Sequence, residues 1–115
     1  MKRVVATKKA PAAIGPYSQG MITGNLIFTA GQIPIDPETG ELVEQRIEIQ
    51  TRRALLNLKA ILEEAGSGME KIVKTTVFLS DMANFSKMTR STRSSFQTIF
   101  QQDPQFRSQG FLKTL

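Results

Sequence analysis

An amphipathic helix over residues 47–65 constrains the fold of this chain more than any other feature of the sequence. Its apolar residues recur at three- and four-residue intervals and fall on one face: Ala54, Leu55, Leu58, Ile61, Leu62 and Ala65. Gly66 follows directly, at the position where helices commonly end in a left-handed glycine. A helix with one apolar face buries that face against a second layer, so the rest of the chain must supply the layer that covers it.

The segments before this helix have the pattern of short strands. Residues 4–6 are predicted as an edge strand, and residues 21–23 and 26–29 as a hairpin that turns at Gly24-Asn25. Residues 37–40 have the composition of a β-turn, with proline early and glycine last. We therefore expect the N-terminal part to form the sheet on which the helix packs.

A strand and a second helix follow. Residues 72–79 predict a strand whose side chains alternate in polarity, and Asp81 can cap the next helix. The order β-β-β-α-β-α indicates an α+β fold, a mixed β-sheet with two helices packed on one face. Such a fold usually adds strands after its second helix. The sequence shows no pattern for them, so the last strands are expected to be missing.

The composition narrows the possible chemistry. The 115 residues suffice for one small domain with a single core. Cys, His and Trp are absent, which excludes thiol nucleophiles, histidine bases, disulfides and the usual zinc ligand sets. No apolar run approaches the roughly 20 residues of a membrane span, and Lys2-Arg3 is not followed by a signal-peptide core. We expect a cytoplasmic protein that binds no metal and no membrane.

The net charge of +5 is unevenly distributed. Residues 89–115 hold four basic residues against one acidic residue, which is +3 of the total. The first 88 residues therefore carry +2, an ordinary charge for a globular domain. This distribution does not predict a nucleic-acid partner.

One constellation of residues identifies the chain. It begins with Gly15-Pro16-Tyr17-Ser18-Gln19-Gly20, continues through the strand at 26–29 and ends with Ala30-Gly31-Gln32-Ile33-Pro34. These pieces, in this order, resemble the reactive intermediate (enamine/imine) deaminase family, the RidA/YjgF proteins. The resemblance covers roughly residues 2–88 and includes further segments of the chain: Asp36 to Gly40, Gln50-Thr51-Arg52, Asn57 to Leu62 and Lys74 to Met82.

The resemblance implies a fold, an activity and an assembly. The fold is the chorismate mutase-like sheet with two helices. The activity is hydrolytic deamination of small 2-imino and enamino acids, such as 2-aminoacrylate, to 2-keto acids and ammonia, as in 2-iminobutanoate/2-iminopropanoate deaminases. No cofactor is implied. The family assembles as homotrimers with sites between subunits.

Five residues are the candidate site. By resemblance, the Gly31 N–H binds a carboxylate or carbonyl oxygen of the substrate, and Tyr17 closes the pocket from a neighbouring subunit. Thr29 and Ala30 line the floor, and Phe85 is an apolar wall. Without the resemblance, a glycine after a strand is usually only a turn, a tyrosine beside proline is usually packing, and Phe85 on a helix is more often core.

Two carboxylate pairs invite an acid–base or metal interpretation. Glu63-Glu64 lies at the end of the predicted helix before Gly66, where a solvated position is expected. Asp36 and Glu38 belong to the predicted turn. Neither pair is predicted to be a site.

Two other functions remain open. RNA cleavage or translational inhibition is also attributed to this family, but it would need a basic groove with stacking aromatic residues. The first 88 residues offer one tyrosine and a near-neutral surface for it. A trimer that binds small acids without turning them over is the second alternative.

The character of the sequence changes at Thr89. Residues 89–115 contain no Ala, Val or Glu, and neither the helix nor the strand period is sustained. One explanation is a divergent tail; the other is a lost base in the gene. A shifted reading frame permits N-E-V-Y-E from Met88 to Arg93, P-A-R from Phe100 to Asp103 and L-P-K from Gly110 to Lys113. We therefore divide the chain into a deaminase-family domain, residues 1–88, and an aberrant tail, residues 89–115, which we interpret as frameshifted.

This frameshift would remove two functional groups. By resemblance, the arginine of P-A-R anchors the substrate carboxylate, and a glutamate in the last strand holds the hydrolytic water. Arg107 lies near the expected arginine in sequence, but its neighbours do not match the motif. The 115-residue chain is therefore expected to be inactive and poorly stable.

Overall fold

The computed structural model describes residues 1–99 and 112–114. Its strands and helices follow the predicted order, with one further strand after the second helix. In chain order they are β1 (Lys2–Val5), β2 (Gly20–Thr23), β3 (Leu26–Thr29), α1 (Ile47–Glu64), β4 (Thr75–Val77), α2 (Phe85–Ile99) and β5 (Leu112–Thr114). The predicted α+β class is confirmed.

The first three strands form an antiparallel sheet with β2 in the centre. The β2–β3 hairpin turns at Gly24, whose φ of +59° is the conformation that hairpin turns require of glycine. The strand register sorts the side chains into two faces. Val5, Ile22 and Ile27 lie on the face that packs against α1. Two core clusters form there, one of Val5, Ala10 and Ile61 and the other of Leu55, Leu62, Met69 and Phe96.

Gly20 allows α1 to approach this sheet closely. A Cβ atom at Gly20 would lie 3.0 Å from Cγ2 of Ile61 and 3.3 Å from Cβ of Val5. Val5 and Ile61 are themselves buried in one core cluster with Ala10. A larger residue at position 20 would have to push the helix away from the sheet.

The helix α1 matches its prediction to within one residue at its end. Leu55, Ile61 and Leu62 are buried on the predicted face. Gly66 has a φ of +85°, the Gly66 N–H donates to the Glu63 carbonyl (3.0 Å), and the Ser67 N–H donates to the Leu62 carbonyl (2.9 Å). These two bonds form a Schellman motif, which is why the helix stops here.

The predicted strand over residues 72–79 is shorter in the structure. Only Thr75–Val77 pair, in parallel with Leu112–Thr114 of β5. This pairing is a second sheet, separate from β1–β2–β3. One short strand is therefore present in the segment for which no strand was expected.

Asp81 caps a helical segment as predicted. Its Oδ1 accepts from the Ala83 N–H (2.9 Å) at the start of a single 3-10 turn, Met82–Asn84, that leads directly into α2. The helix α2 in turn packs against α1.

The expectation that no period continues beyond Thr89 is wrong for residues 89–99. These residues belong to α2, and its buried side chains follow helical spacing: Met88, Thr92, Ser95 and Phe96. Because Thr92 and Ser95 are polar, the helical spacing of this buried face does not appear as an apolar pattern in the sequence. Thr92 fits the buried face because its hydroxyl donates to the Met88 carbonyl (2.8 Å). The boundary at residues 88/89 thus falls inside α2, and residues 100–103, which carry the P-A-R reconstruction, lie outside the described residues.

Within the described ranges, no helix is both long enough and apolar enough to cross a membrane.

Candidate functional site

The end of β3 presents an unusual glycine. Gly31 is exposed, and a Cβ atom placed on it would meet nothing within 4 Å. Its φ is not in the left-handed region, unlike those of Gly24, Gly40 and Gly66. Among the described residues, neither backbone conformation nor packing therefore requires glycine at this position.

The strand register directs the Gly31 N–H away from β2. The Ala30 N–H donates to the Gln19 carbonyl (2.9 Å), which extends the β2–β3 ladder by one pair. Because antiparallel pairs alternate between bonded and non-bonded positions, the next N–H, that of Gly31, points to the free edge of β3. Within residues 1–99 it has no hydrogen-bond partner.

Tyr17 lies in the loop before β2 with half of its surface exposed. Its N–H donates to the Gly15 carbonyl (2.8 Å), and its ring lies over Gly15, where a Cβ would be 3.4 Å from Cδ2 and Cε2. The ring therefore packs on its own loop, and it belongs to neither core cluster of the described residues. Core packing does not account for this tyrosine.

Gln19 joins the Tyr17 loop to the end of β3, and the sequence analysis did not identify it. Its side chain is 4% exposed and binds the N-terminal segment. Oε1 accepts from the Thr7 N–H (2.6 Å), and Nε2 donates to the carbonyls of Thr7 (3.0 Å), Ala10 (3.2 Å) and Pro11 (2.7 Å). The backbone carbonyl of Gln19 accepts from the Ala30 N–H. The position of the Tyr17 loop relative to Gly31 thus depends on this residue.

Asn57 is a second buried amide that the sequence analysis missed. It is completely buried in the middle of α1 and bonds to the carbonyls of Ile33 and Ile35, just after Gly31. The available signal was a polar residue on an otherwise apolar helix face, at helical spacing between Ala54 and Ile61.

The remaining candidates divide into two groups. Thr29 and Ala30 adjoin Gly31, and Thr29 lies on the α1-facing side of the sheet, paired with Gly20. Phe85 is the first residue of α2 and is 42% exposed, outside both core clusters, so it is not core. No hydrogen bond or core cluster of the described residues joins Phe85 to the end of β3.

The carboxylate pairs have structural partners. Asp36 Oδ1 accepts from the Glu38 N–H (2.8 Å) inside the turn that ends at Gly40. Glu63 lies 3.9 Å from the Lys59 ammonium, one helical turn away on the surface. Over the part of the chain that the structure describes, no three acidic residues converge as a metal site would require.

Comparisons with known proteins agree on one family. The family model described as Endoribonuclease L-PSP matches residues 7–108. A RutC family protein of Pyrococcus abyssi is 59% identical over 87 residues, which are 76% of this chain and 68% of that protein. A 2-iminobutanoate/2-iminopropanoate deaminase of Escherichia coli is 48% identical over 96 residues, 84% of this chain and 74% of the enzyme. The structure of E. coli TdcF with bound serine superposes with a TM-score of 0.86 at 34% identity, covering 98% of this chain and 84% of TdcF.

Proposed function

This chain belongs to the Endoribonuclease L-PSP family, the family of the RidA/YjgF deaminases, and on that basis we propose that it is a hydrolytic deaminase of small 2-imino and enamino acids. The deaminase name of the E. coli relative and the serine bound to TdcF both support a small amino-acid-like carboxylate as substrate. The products are a 2-keto acid and ammonia.

The reaction suits a chain without Cys or His. An enamine such as 2-aminoacrylate first tautomerises to its imine by moving one proton. Water then adds to the imine carbon, and the C–O bond forms as the nitrogen accepts a proton. The resulting carbinolamine loses ammonia when its hydroxyl proton is relayed to the nitrogen and the C–N bond breaks, which leaves the C=O of the keto acid. Since the imine is already electrophilic, the protein has only to orient the acid, place water and relay protons.

The single observation that carries this proposal is the Gly31 N–H. It is unpaired within residues 1–99, faces the free edge of β3, and has open space where a side chain would stand. A fixed backbone donor in such a place binds a carboxylate or carbonyl oxygen with little reorganisation. Thr29 and Ala30 form the adjoining floor. We keep Phe85 as an apolar wall only within an assembled site, since its exposed position leaves it available to a neighbouring subunit.

We propose a homotrimer in which Tyr17 closes the site of a neighbouring subunit. The sheet supports this, because its face opposite α1 carries Val4, Met21 and Phe28 in one cross-strand row, with Leu26 beside them. Val4 and Phe28 are 65% and 60% exposed in the single chain. An apolar sheet face of this kind is normally covered by another protein layer.

The trimer has a direct test. Light scattering should give three times the mass of one chain, and Phe28→Glu should reduce it to the mass of one chain because a charge then occupies the apolar row. Leu42→Glu, a control at an exposed position outside this sheet, should leave the trimer intact. A monomeric parent protein would contradict the proposal.

We further infer that the segment after Met88 is read in a shifted frame. The three segments that the shifted frame permits occur in order and in one frame, and the arginine of P-A-R would supply the carboxylate anchor that residues 1–88 lack. The protein encoded after restoring one base before Thr89 is called the frame-restored chain below. If the frame is genuine as it stands, a binding trimer without turnover becomes the better description of the 115-residue protein.

The experiment that tests the deaminase proposal generates 2-aminoacrylate in situ and follows keto acid and ammonia. Steady-state hydrolysis above the buffer rate supports the enzyme. Saturable binding of 2-oxobutanoate to the same protein without hydrolysis supports the binding trimer. Cleavage of RNA without either would support the ribonuclease alternative and contradict the proposal.

A further inference from the structure

A buried amide attaches α1 to the segment that follows Gly31. Asn57 Nδ2 donates to the backbone carbonyls of Ile33 (3.3 Å) and Ile35 (3.0 Å), while Oδ1 accepts from Arg53 Nε (3.1 Å). Asn57 itself is completely buried. Both amide N–H groups and the carbonyl oxygen therefore have partners, which is the condition under which a buried amide is tolerated.

The bonded segment needs such an attachment because it lies outside the main sheet. Between β3 and α1, the backbone pairs at an isolated bridge of Ile35 with Leu42, where the Val43 N–H donates to the Pro34 carbonyl (3.0 Å). The Ile33 carbonyl also accepts from the Ile35 N–H (2.8 Å) within the segment, and the Asn57 amide is what joins the carbonyls of Ile33 and Ile35 to α1. An apolar residue at position 57 would fill the same space without holding these carbonyls.

Gly31 lies between two fixed points. On one side the Ala30 N–H is held by the Gln19 carbonyl, and on the other the Ile33 carbonyl is held by Asn57. Only Gly31 and Gln32 lie between them, and the Gln32 side chain bonds back to the Ala30 carbonyl (3.3 Å). The direction of the Gly31 N–H therefore depends on both attachments.

We propose that Asn57 is a positioning residue for the Gly31 donor. It holds the segment after β3 so that the Gly31 N–H stays directed toward the carboxylate or carbonyl oxygen of a bound 2-imino acid. This role rests on the proposed function of Gly31. Arg53 contributes by fixing the amide's orientation, because its Nε–H donor at Oδ1 leaves the NH₂ group facing the two carbonyls.

The test compares two substitutions in the same helix. Asn57→Asp keeps the size of the side chain and its bond to Arg53 but replaces the NH₂ donor with an oxygen that repels the carbonyls of Ile33 and Ile35. Leu62→Ala is the matched control in the same helix. It removes a buried side chain from the core cluster of Leu55, Met69 and Phe96 and leaves the bonds from Asn57 to Ile33 and Ile35 in place. Arg53→Met is a milder third variant that removes the donor to Oδ1.

Two readouts separate positioning from general stability. Amide hydrogen exchange on the 115-residue chain should be about tenfold faster at Ile35 and Val43 in Asn57→Asp, relative to the α1 amides, because both N–H groups bond within the held segment. In the frame-restored chain, Asn57→Asp should raise KM for 2-aminoacrylate about 10- to 100-fold and leave kcat less affected. Leu62→Ala should change exchange throughout the core, but the exchange rates of Ile35 and Val43 relative to those of the α1 amides should stay the same. Its KM should also stay the same.

The outcomes are distinct. If Asn57→Asp and Leu62→Ala give the same exchange pattern, Asn57 is only a core residue and the proposal fails. If Asn57→Asp does not fold, Arg53→Met is the deciding variant. A smaller rise in KM and in exchange at Ile35 and Val43 then supports the proposal, and no change in either overturns it. If the frame-restored parent hydrolyses no imine, the deaminase proposal fails, while the exchange comparison still decides whether Asn57 holds the segment.

Discussion

Restoring one base before Thr89 is expected to produce a chain that hydrolyses 2-aminoacrylate at least about 100-fold faster than buffer. The 115-residue chain is expected to be no faster than buffer. The reason is chemical. Gly31 and Tyr17 are present in both chains, but the arginine of P-A-R, which by resemblance holds the substrate carboxylate, would be present only after restoration. The measurement is keto-acid release with 2-aminoacrylate generated in situ, at matched protein concentrations.

Two controls make this result interpretable. The DNA sequence around codons 88 and 89 and the intact mass of the purified protein establish which frame is translated. Substitution of the arginine in the restored P-A-R segment by methionine should return the rate to that of the 115-residue chain. A well-folded restored chain that is no faster than buffer would contradict the deaminase proposal. Turnover by a protein whose mass matches the 115-residue sequence would contradict the frameshift.

Gly31→Val is expected to lower the kcat/KM of the frame-restored chain by about 100-fold or more and to change its stability little. The described residues leave open space at this position, and its φ is not left-handed, so the added side chain meets none of them. It would instead occupy the approach to the Gly31 N–H. The measurements are kcat/KM for 2-aminoacrylate and the thermal unfolding midpoint of the same preparation, with light scattering to check that the variant keeps the oligomeric state of its parent.

Gly20 supplies the matched control with the opposite expectation. A Cβ at Gly20 would meet Ile61 at 3.0 Å, so Gly20→Ala should destabilise the fold by about 1–3 kcal/mol. Its remaining folded fraction should keep the KM of the parent. If Gly31→Val lowers stability as Gly20→Ala does and spares kcat/KM, Gly31 is a structural glycine and the site has been placed wrongly.

The resemblance predicted all five candidate residues, and their roles stay predictions. Thr29, Ala30 and Gly31 lie together because they are neighbours in sequence at the end of β3. The residues that hold them could not be predicted this way. Gln19 reaches Thr7, 12 positions away, and Asn57 reaches Ile33, 24 positions away. Such partners become visible only when the packing of α1 on the sheet brings the segments together.

The sequence by itself determined the local elements. The apolar face of α1, its stop at Gly66, the hairpin at Gly24 and the cap at Asp81 all depend on periodicity or on the backbone chemistry of a few adjacent residues. The pairing of Thr75–Val77 with β5 and the buried hydroxyl of Thr92 depended on distant or concealed partners.

The tertiary structure gives the physical difference between two glycines near this hairpin. Gly20 begins β2 and Gly31 follows β3; the resemblance singles out Gly31, but nothing in the local sequence explains why the two positions differ. The structure places Ile61 against Gly20, whereas no other part of the described chain lies within 4 Å of a Cβ at Gly31. One glycine is required by the contact between helix and sheet, and the other leaves a donor and open space, because what a missing side chain does depends on which neighbour the fold brings to it.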